Sequence, residues 1–142
     1  MKWIDKLFKM ALMFLLLFWG YKANEHNKNI KALAYNIYFE ARNSSIEDQI
    51  ATAVVVMNRG DPYIEVYKPY QFSWTADYKS PADNKEYRKA LRVASMVYYH
   101  HDLFKSKDIC KHYTVLKDYP KGHWTHKFKR RTKIGKHYYY CN

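Results

Sequence analysis

Apolar residues recur at Ile30, Ala34, Ile37 and Ala41, at spacings of four, three and four, with Leu33 beside them. This is the 3.6-residue period of a half-buried helix, and it predicts one from about Lys28 to Arg42. Glu40 lies seven residues after Leu33 and three after Ile37, so it borders the apolar stripe. Next, Ser44-Ser45-Ile46-Glu47 reads as a capping box with Ser44 at the cap. A second helix is predicted from there to about Asn58, with Ile46, Ile50, Ala53, Val54 and Met57 inward and Gly60-Asp61-Pro62 as its stop. Residues 61–83 are rich in Pro, Tyr, Ser and Asp and read as a loop, and a loop of that length is usually functional. Asp83, with Glu86 completing a box, caps a predicted third helix whose inner face is Tyr87, Leu91, Ala94, Val97 and Tyr98. Residues 110–115 and 137–141 read as short strands, joined by a long basic connection from Pro120 to Lys136. The expected fold class is α+β: one small, mostly helical domain over residues 30–142 with a short antiparallel sheet.

The first 23 residues follow a different pattern. Met10 to Tyr21 is apolar throughout and follows Lys2, Lys6 and Lys9. A positive start before a short apolar stretch is an export signal. Tyr21 stands where a cut after Ala23 would want a small residue, so an uncleaved anchor competes with a cleaved peptide. The apolar core is shorter than an ordinary span of about 20 residues. Trp3, Ile4, Leu7 and Phe8 lengthen it, with Lys6 and Lys9 reaching toward headgroups. The expectation is an N-terminal hydrophobic helix (1–23), a polar tether (24–29) and a C-terminal domain outside the cytoplasm, anchored to the inner membrane or periplasmic.

Charge and composition narrow the partners. The formal charge is +12, much of it late in the chain at Lys127, Lys129, Arg130, Arg131, Lys133 and Lys136. A basic surface attracts any polyanion, or it is simply a solvated face. No nucleic-acid-binding motif accompanies it, so no nucleic-acid partner is expected. Fifteen tyrosines contribute to an aromatic content of 18%. Such rings stack on sugars, but they also fill cores. The two cysteines, Cys110 and Cys141, each bound an aromatic run read as a strand. If those strands pair, a bridge closing a loop of about 30 residues adds on the order of 3–4 kcal/mol in an oxidising compartment. Two reduced thiols are the alternative.

Candidate chemistry centres on Glu40. A carboxylate against apolar neighbours is hard to ionise, and its raised pKa lets it act as a general acid near neutral pH. The plainer reading is a helix-end glutamate paired with Arg42. The wider order of motifs bears on this choice. Tyr-Phe-Glu-Ala-Arg is followed by a Gln-x-Ala-x-Ala-Val-Val-x-x-Asn-Arg helix, then Gln71-Phe72-Ser73-Trp74, Tyr113, Pro120, Trp124 and Ile134-Gly135-Lys136-His137-Tyr138-Tyr139. Over roughly residues 30–140 the chain resembles the SleB-type cell-wall hydrolases, the family of spore cortex-lytic enzymes and related bacterial and phage peptidoglycan hydrolases. The resemblance implies a lysozyme-like domain that cleaves between N-acetylmuramic acid and N-acetylglucosamine, with Glu40 as catalytic acid. The family continues Glu-Ala-Arg with Gly-Glu, whereas this chain has Asn43-Ser44. Small size, one domain and an export segment suit a monomeric phage lysis enzyme.

Ordinary glycoside hydrolysis needs a second carboxylate. None stands out: Asp77 and Asp83 flank the long loop, and Glu47 and Asp48 open the second helix as capping residues. A single-acid mechanism, as in lytic transglycosylases, fits that scarcity. Gln71, Ser73, His112, Tyr113 and His137 are candidate hydrogen-bonding partners for sugars, with Trp74 and Trp124 as stacking platforms. Trp74 as a core residue and His137 as a brace are the alternatives. No cofactor or metal is expected. A zinc amidase, drawing on His123, His126, His137 and Glu40, is the competing enzyme, although no His-Glu-x-x-His helix supports it. A non-catalytic, membrane-tethered wall-binding module is the third reading.

Overall fold

The computed structural model describes residues 2–77 and 80–142, the side chain of Lys2 excepted, so the part of Lys2 in the positive N-terminus lies outside the described residues. Helix α1 runs without a break from Lys2 to Ala41. The expected separation into a hydrophobic helix, a tether over 24–29 and a second helix is therefore corrected. Between Tyr21 and Ile30 there is no Gly or Pro to stop the helix. Lys22 and Glu25 pair across one turn at 3.4 Å, and His26 meets the edge of Tyr98 at 5.5 Å. The apolar residues from Met10 to Trp19 stand exposed along this helix. Among the described residues, no helix is long and apolar enough to cross a membrane.

Helix α2 (Ile46–Arg59) lies at the centre of the domain, against α1, α4 (Lys85–Tyr99), the short α3 (Pro62–Val66) and the sheet. The single inward stripe expected for α2 is too narrow. Ala51 through Val56 are all buried, whereas Ile46, expected inward, is exposed. The helix has two apolar faces because it is sandwiched. Val54 and Val56 join the main core with Leu33, Ile37, Val93 and Val97. Ala51 and Val55 pack on Tyr139 beneath the sheet. Both expected caps move by one residue. Ser45, not Ser44, accepts from the backbone N–H of Asp48 at 3.3 Å, and Asn84, not Asp83, accepts from Tyr87 at 2.9 Å. Asp83 forms a surface ion pair with Arg88 instead.

The stretch expected as a loop over 61–83 contains α3, started by Asp61 and Pro62, and a 3-10 helix over Ser73–Asp77. A four-residue helix, α5 (His101–Phe104), follows α4. Three strands form an antiparallel sheet in the order β1-β3-β2: β1 is His112–Thr114, β2 is Arg130–Ile134 and β3 is His137–Cys141. β2 lies inside the expected basic connection. Its Arg-Arg-Thr-Lys-Ile sequence hides the strand because it is an edge strand whose outward charges oppose further pairing. The basic run is thus, in part, that solvated edge. Ile134 pairs with His137, so Gly135 and Lys136 form a two-residue turn with Gly135 at φ 56°. Cys110 and Cys141 are bridged with Cα atoms 5.4 Å apart, which fastens the chain just before β1 to the end of β3. The result is a helical core with a small sheet on one side, an α+β domain.

Candidate functional site

Glu40 stands in the last turn of α1, and its side chain enters a cleft of about 520 Å³ between α1, the 70–73 segment, β1 and the 119–124 segment. Gln71, Ser73, His112, Tyr113, Trp124 and His137 line the same cleft. Residues from five separate stretches of sequence therefore converge on one space. Trp74 does not join them. It is 7% exposed, stacks on Phe39 at 4.8 Å and donates its indole N–H to Asn36 Oδ1 at 3.4 Å. Its nomination as a sugar platform is corrected: it belongs to the core beneath the site. Trp124 keeps a place on the wall, edge-on to Tyr140 at 5.6 Å and 5.3 Å from His112.

No described residue hydrogen-bonds or ion-pairs with the Glu40 carboxyl. The expected alternative, a pair with Arg42, does not form. Arg42 lies over the Tyr38 ring at 4.8 Å instead. Burial pushes the Glu40 carboxyl above the usual carboxylate range, against a smaller opposing pull from His137 and Lys136. The end of α1 that carries it is held by Gln49, whose Nε2 donates to the carbonyls of Ala41, Arg42 and Ser44 at 3.2–3.3 Å. That one amide satisfies carbonyls that a helix end leaves open.

Asp48, assigned to capping by sequence reasoning, does much more. It is fully buried and accepts from Ser44 Oγ, from Tyr139 OH at 2.7 Å and from the Lys136 N–H at 3.2 Å. His137 Nδ1 lies 2.9 Å from its Oδ2 and 3.0 Å from its Oδ1. Burial opposes ionisation of Asp48, but the bonds from His137, Ser44 and Tyr139 outweigh it and hold the carboxyl below its ordinary range. An ionised Asp48 makes Nδ1 of His137 the donor, which leaves Nε2 facing away from it. Nε2 is buried and has no partner among the described residues. Tyr113 meets the His137 ring edge-on at 4.9 Å, and Asn36 donates to the Tyr113 hydroxyl at 3.4 Å. Burial and the nearby Glu40 hold the Tyr113 phenol strongly protonated. The cleft thus has one carboxyl open to a ligand, a histidine oriented by a buried carboxylate, and a phenol edge-on to that histidine.

The turn at Gly135 makes this arrangement possible. A Cβ there would lie 2.5 Å from Ser44 Oγ and 2.6 Å from Asp48 Cβ, so only glycine lets the hairpin close onto the start of α2. Sequence reasoning also missed Arg59, which lines the cleft from the end of α2. No local sequence signal separates Asp48 or Arg59 from ordinary helix-end charges. The histidines nominated for zinc are not assembled. His123 stacks on Tyr119 at 3.9 Å, and His126 Nε2 bonds the carbonyl oxygens of Tyr119 and Pro120 at 3.1 Å. Among the described residues no group of three His, Cys, Asp or Glu side chains is placed to hold a metal ion. No family model, curated protein or solved structure matches this chain.

Proposed function

We propose that the chain is a peptidoglycan glycosidase that cleaves between N-acetylmuramic acid and N-acetylglucosamine, with Glu40 as general acid and then base. The observation that carries this reading is Glu40 itself: a carboxyl with a raised pKa and no partner among the described residues, in a cleft lined by aromatic rings and hydrogen-bonding side chains. The likeness of the motif order to SleB-type cell-wall hydrolases supports the same choice. Export through residues 1–23 belongs to this reading, and the Cys110–Cys141 bridge fits an oxidising destination.

Asp48 favours transglycosylation over two-carboxylate hydrolysis. Its oxygens are taken by four donors and it is fully buried, so it has no free edge to attack a sugar or activate water. In the single-acid course, Glu40 gives its proton to the glycosidic oxygen and the glucosamine side leaves as an alcohol. The muramic C6 hydroxyl then bonds to C1, and its proton returns to Glu40. Water is not consumed, and the product ends in a 1,6-anhydro ring.

Mass spectrometry of peptidoglycan digested by the purified protein tests this. Anhydro-muramic ends are expected. Ordinary reducing muramic ends would mean a muramidase, freed stem peptides an amidase, and no products a binding module. Glu40→Gln is expected to lower the rate about a hundredfold or more. Activity above about a tenth of wild type, a loss of only about 1.4 kcal/mol of barrier, overturns the assignment.

A further inference from the structure

Arg59 is a cation in the cleft with no ion-pair partner among the described residues. Its Nε donates to the Lys111 carbonyl at 2.7 Å, and its guanidinium lies over the Phe72 ring at 5.6 Å. Nη1 is buried with no partner, and neither Nη nitrogen bonds a described residue. No carboxylate lies within ion-pair distance among the described residues. Glu65, a carboxylate that favours the charged form of Arg59, is paired with Lys68 at 3.3 Å. A partly desolvated guanidinium left unpaired is costly, and a bound anion repays that cost. Of its donors, Nε is taken by Lys111 and Nη1 is buried, so Nη2 is the N–H group left to meet a carboxylate in the cleft.

The surroundings agree. Burial pulls the guanidinium below its usual value, while Tyr113 and Glu65 favour its charged form, and arginine stays protonated throughout. Burial, Arg59 and Lys111 together disfavour the charged form of neighbouring His112. Arg59 shares the cleft with Glu40, the group proposed to act on the glycosidic bond.

We propose that Arg59 is the anion subsite of the cleft and takes a carboxylate carried by the muramic residue next to the scissile bond. This rests on the peptidoglycan reading above. Muramic acid differs from glucosamine by a lactyl ether at C3, so a carboxylate is what distinguishes the two alternating sugars. That carboxylate is free on a peptide-stripped strand. On a substituted strand the lactyl group is in amide linkage, and the stem peptide supplies the carboxylates. The subsite makes the chain select muramic-containing glycan over an all-glucosamine polymer, and sets the register in which Glu40 meets the bond.

The test uses the full chain carrying Glu40→Gln, so that ligands survive, with and without Arg59→Gln. Calorimetric titration compares four soluble tetrasaccharides: an alternating glycan with free lactyl groups, the same glycan with those groups as methylamides, the glycan with stem peptides, and chitotetraose. Arg59→Gln is expected to weaken the free-lactyl glycan tenfold or more while leaving the methylamide and chitotetraose within twofold. Loss confined to the peptide-bearing glycan assigns the carboxylate to the stem peptide. Arg59→Lys, which keeps the charge and loses the guanidinium, is expected to fall between. Equal weakening of all four ligands indicates a structural role through Lys111 and overturns the proposal, as does no weakening of any. The chain with Arg59 intact supplies a check that needs no folded Arg59 variant, because it must itself prefer a carboxylate-bearing glycan, free lactyl or stem peptide, over the methylamide. Failure of both preferences with binding retained overturns the subsite alone. Failure to bind any of the four overturns the peptidoglycan reading with it.

Discussion

At the residue scale, two carboxyls of one site are pushed in opposite directions, and their effects on stability have opposite signs. The native state holds the Glu40 proton more tightly than the unfolded chain does. Stability from this group is therefore full at low pH and falls as pH rises through its folded pKa. Glu40→Gln is expected to raise the melting temperature at pH 7, with the gain vanishing below about pH 4, where glutamate is protonated in both states. Melting curves of the two proteins across pH check this, and an unchanged or lower melting temperature at neutral pH contradicts a strained acid. Asp48 is depressed, so its contribution is present above the ordinary aspartate range and is lost as pH falls through its folded pKa. Asp48→Asn is expected to cost about 3 kcal/mol at pH 7, because it leaves His137 buried beside a neutral amide. It also has a catalytic signature. His137 lowers the Glu40 pKa, so loosening His137 from its partner is expected to shift the alkaline limb of the pH–rate profile. A limb that stays in place while stability falls assigns Asp48 to the fold alone.

At the element scale, the β2–β3 hairpin and the start of α2 form one unit. The turn backbone donates to Asp48, and β3 supplies His137 and Tyr139 to the same carboxylate. Gly135→Ala asks a side chain to adopt φ 56° and to occupy space already held by Ser44 and Asp48. The expected cost is about 2 kcal/mol or more, since neither neighbour is the free end of a long chain. Activity is expected to fall with it, because His137 is two residues on. Denaturant unfolding and turnover measured on the same preparation check both, and a variant as stable as wild type refutes the close approach. The helices themselves were legible in the chain. Ile30, Ala34, Ile37 and Ala41 repeat with the helical period, and Gly60 and Pro62 end α2 where expected. The caps were legible only to within one residue, because Ser44 and Ser45 carry the same hydroxyl and tertiary contacts choose between them. Ser44 is drawn away to Asp48. β2 was illegible because an edge strand made mostly of Arg and Lys has no apolar signature.

At the scale of the whole molecule, the Cys110–Cys141 bridge spans 31 residues that include β1, β2 and most of the wall opposite Glu40. In the chain-entropy picture a loop of this size contributes about 3–4 kcal/mol. Reduction is expected to lower the melting temperature while leaving the rate of the still-folded protein nearly unchanged, since neither sulfur lines the Glu40 cleft. Calorimetry with and without reductant, beside turnover at low temperature, separates the two effects. A large loss of rate without a loss of stability would instead place the bridge in the chemistry.

Periodicity and motif order by themselves determined the α+β class, the three longer helices of the domain, the two strands that carry aromatics, and Glu40 as the residue to watch. These are local properties, since a helix or strand shows its buried face at a fixed spacing. Tertiary structure alone decided that α2 is buried on two sides, that Trp74 fills the core and not the cleft, and that Asp48, 89 residues from His137, is its partner. Asp48 and Arg59 look the same as surface charges in the chain because burial belongs to the assembled elements. A charge becomes part of a site only when a distant strand closes over it.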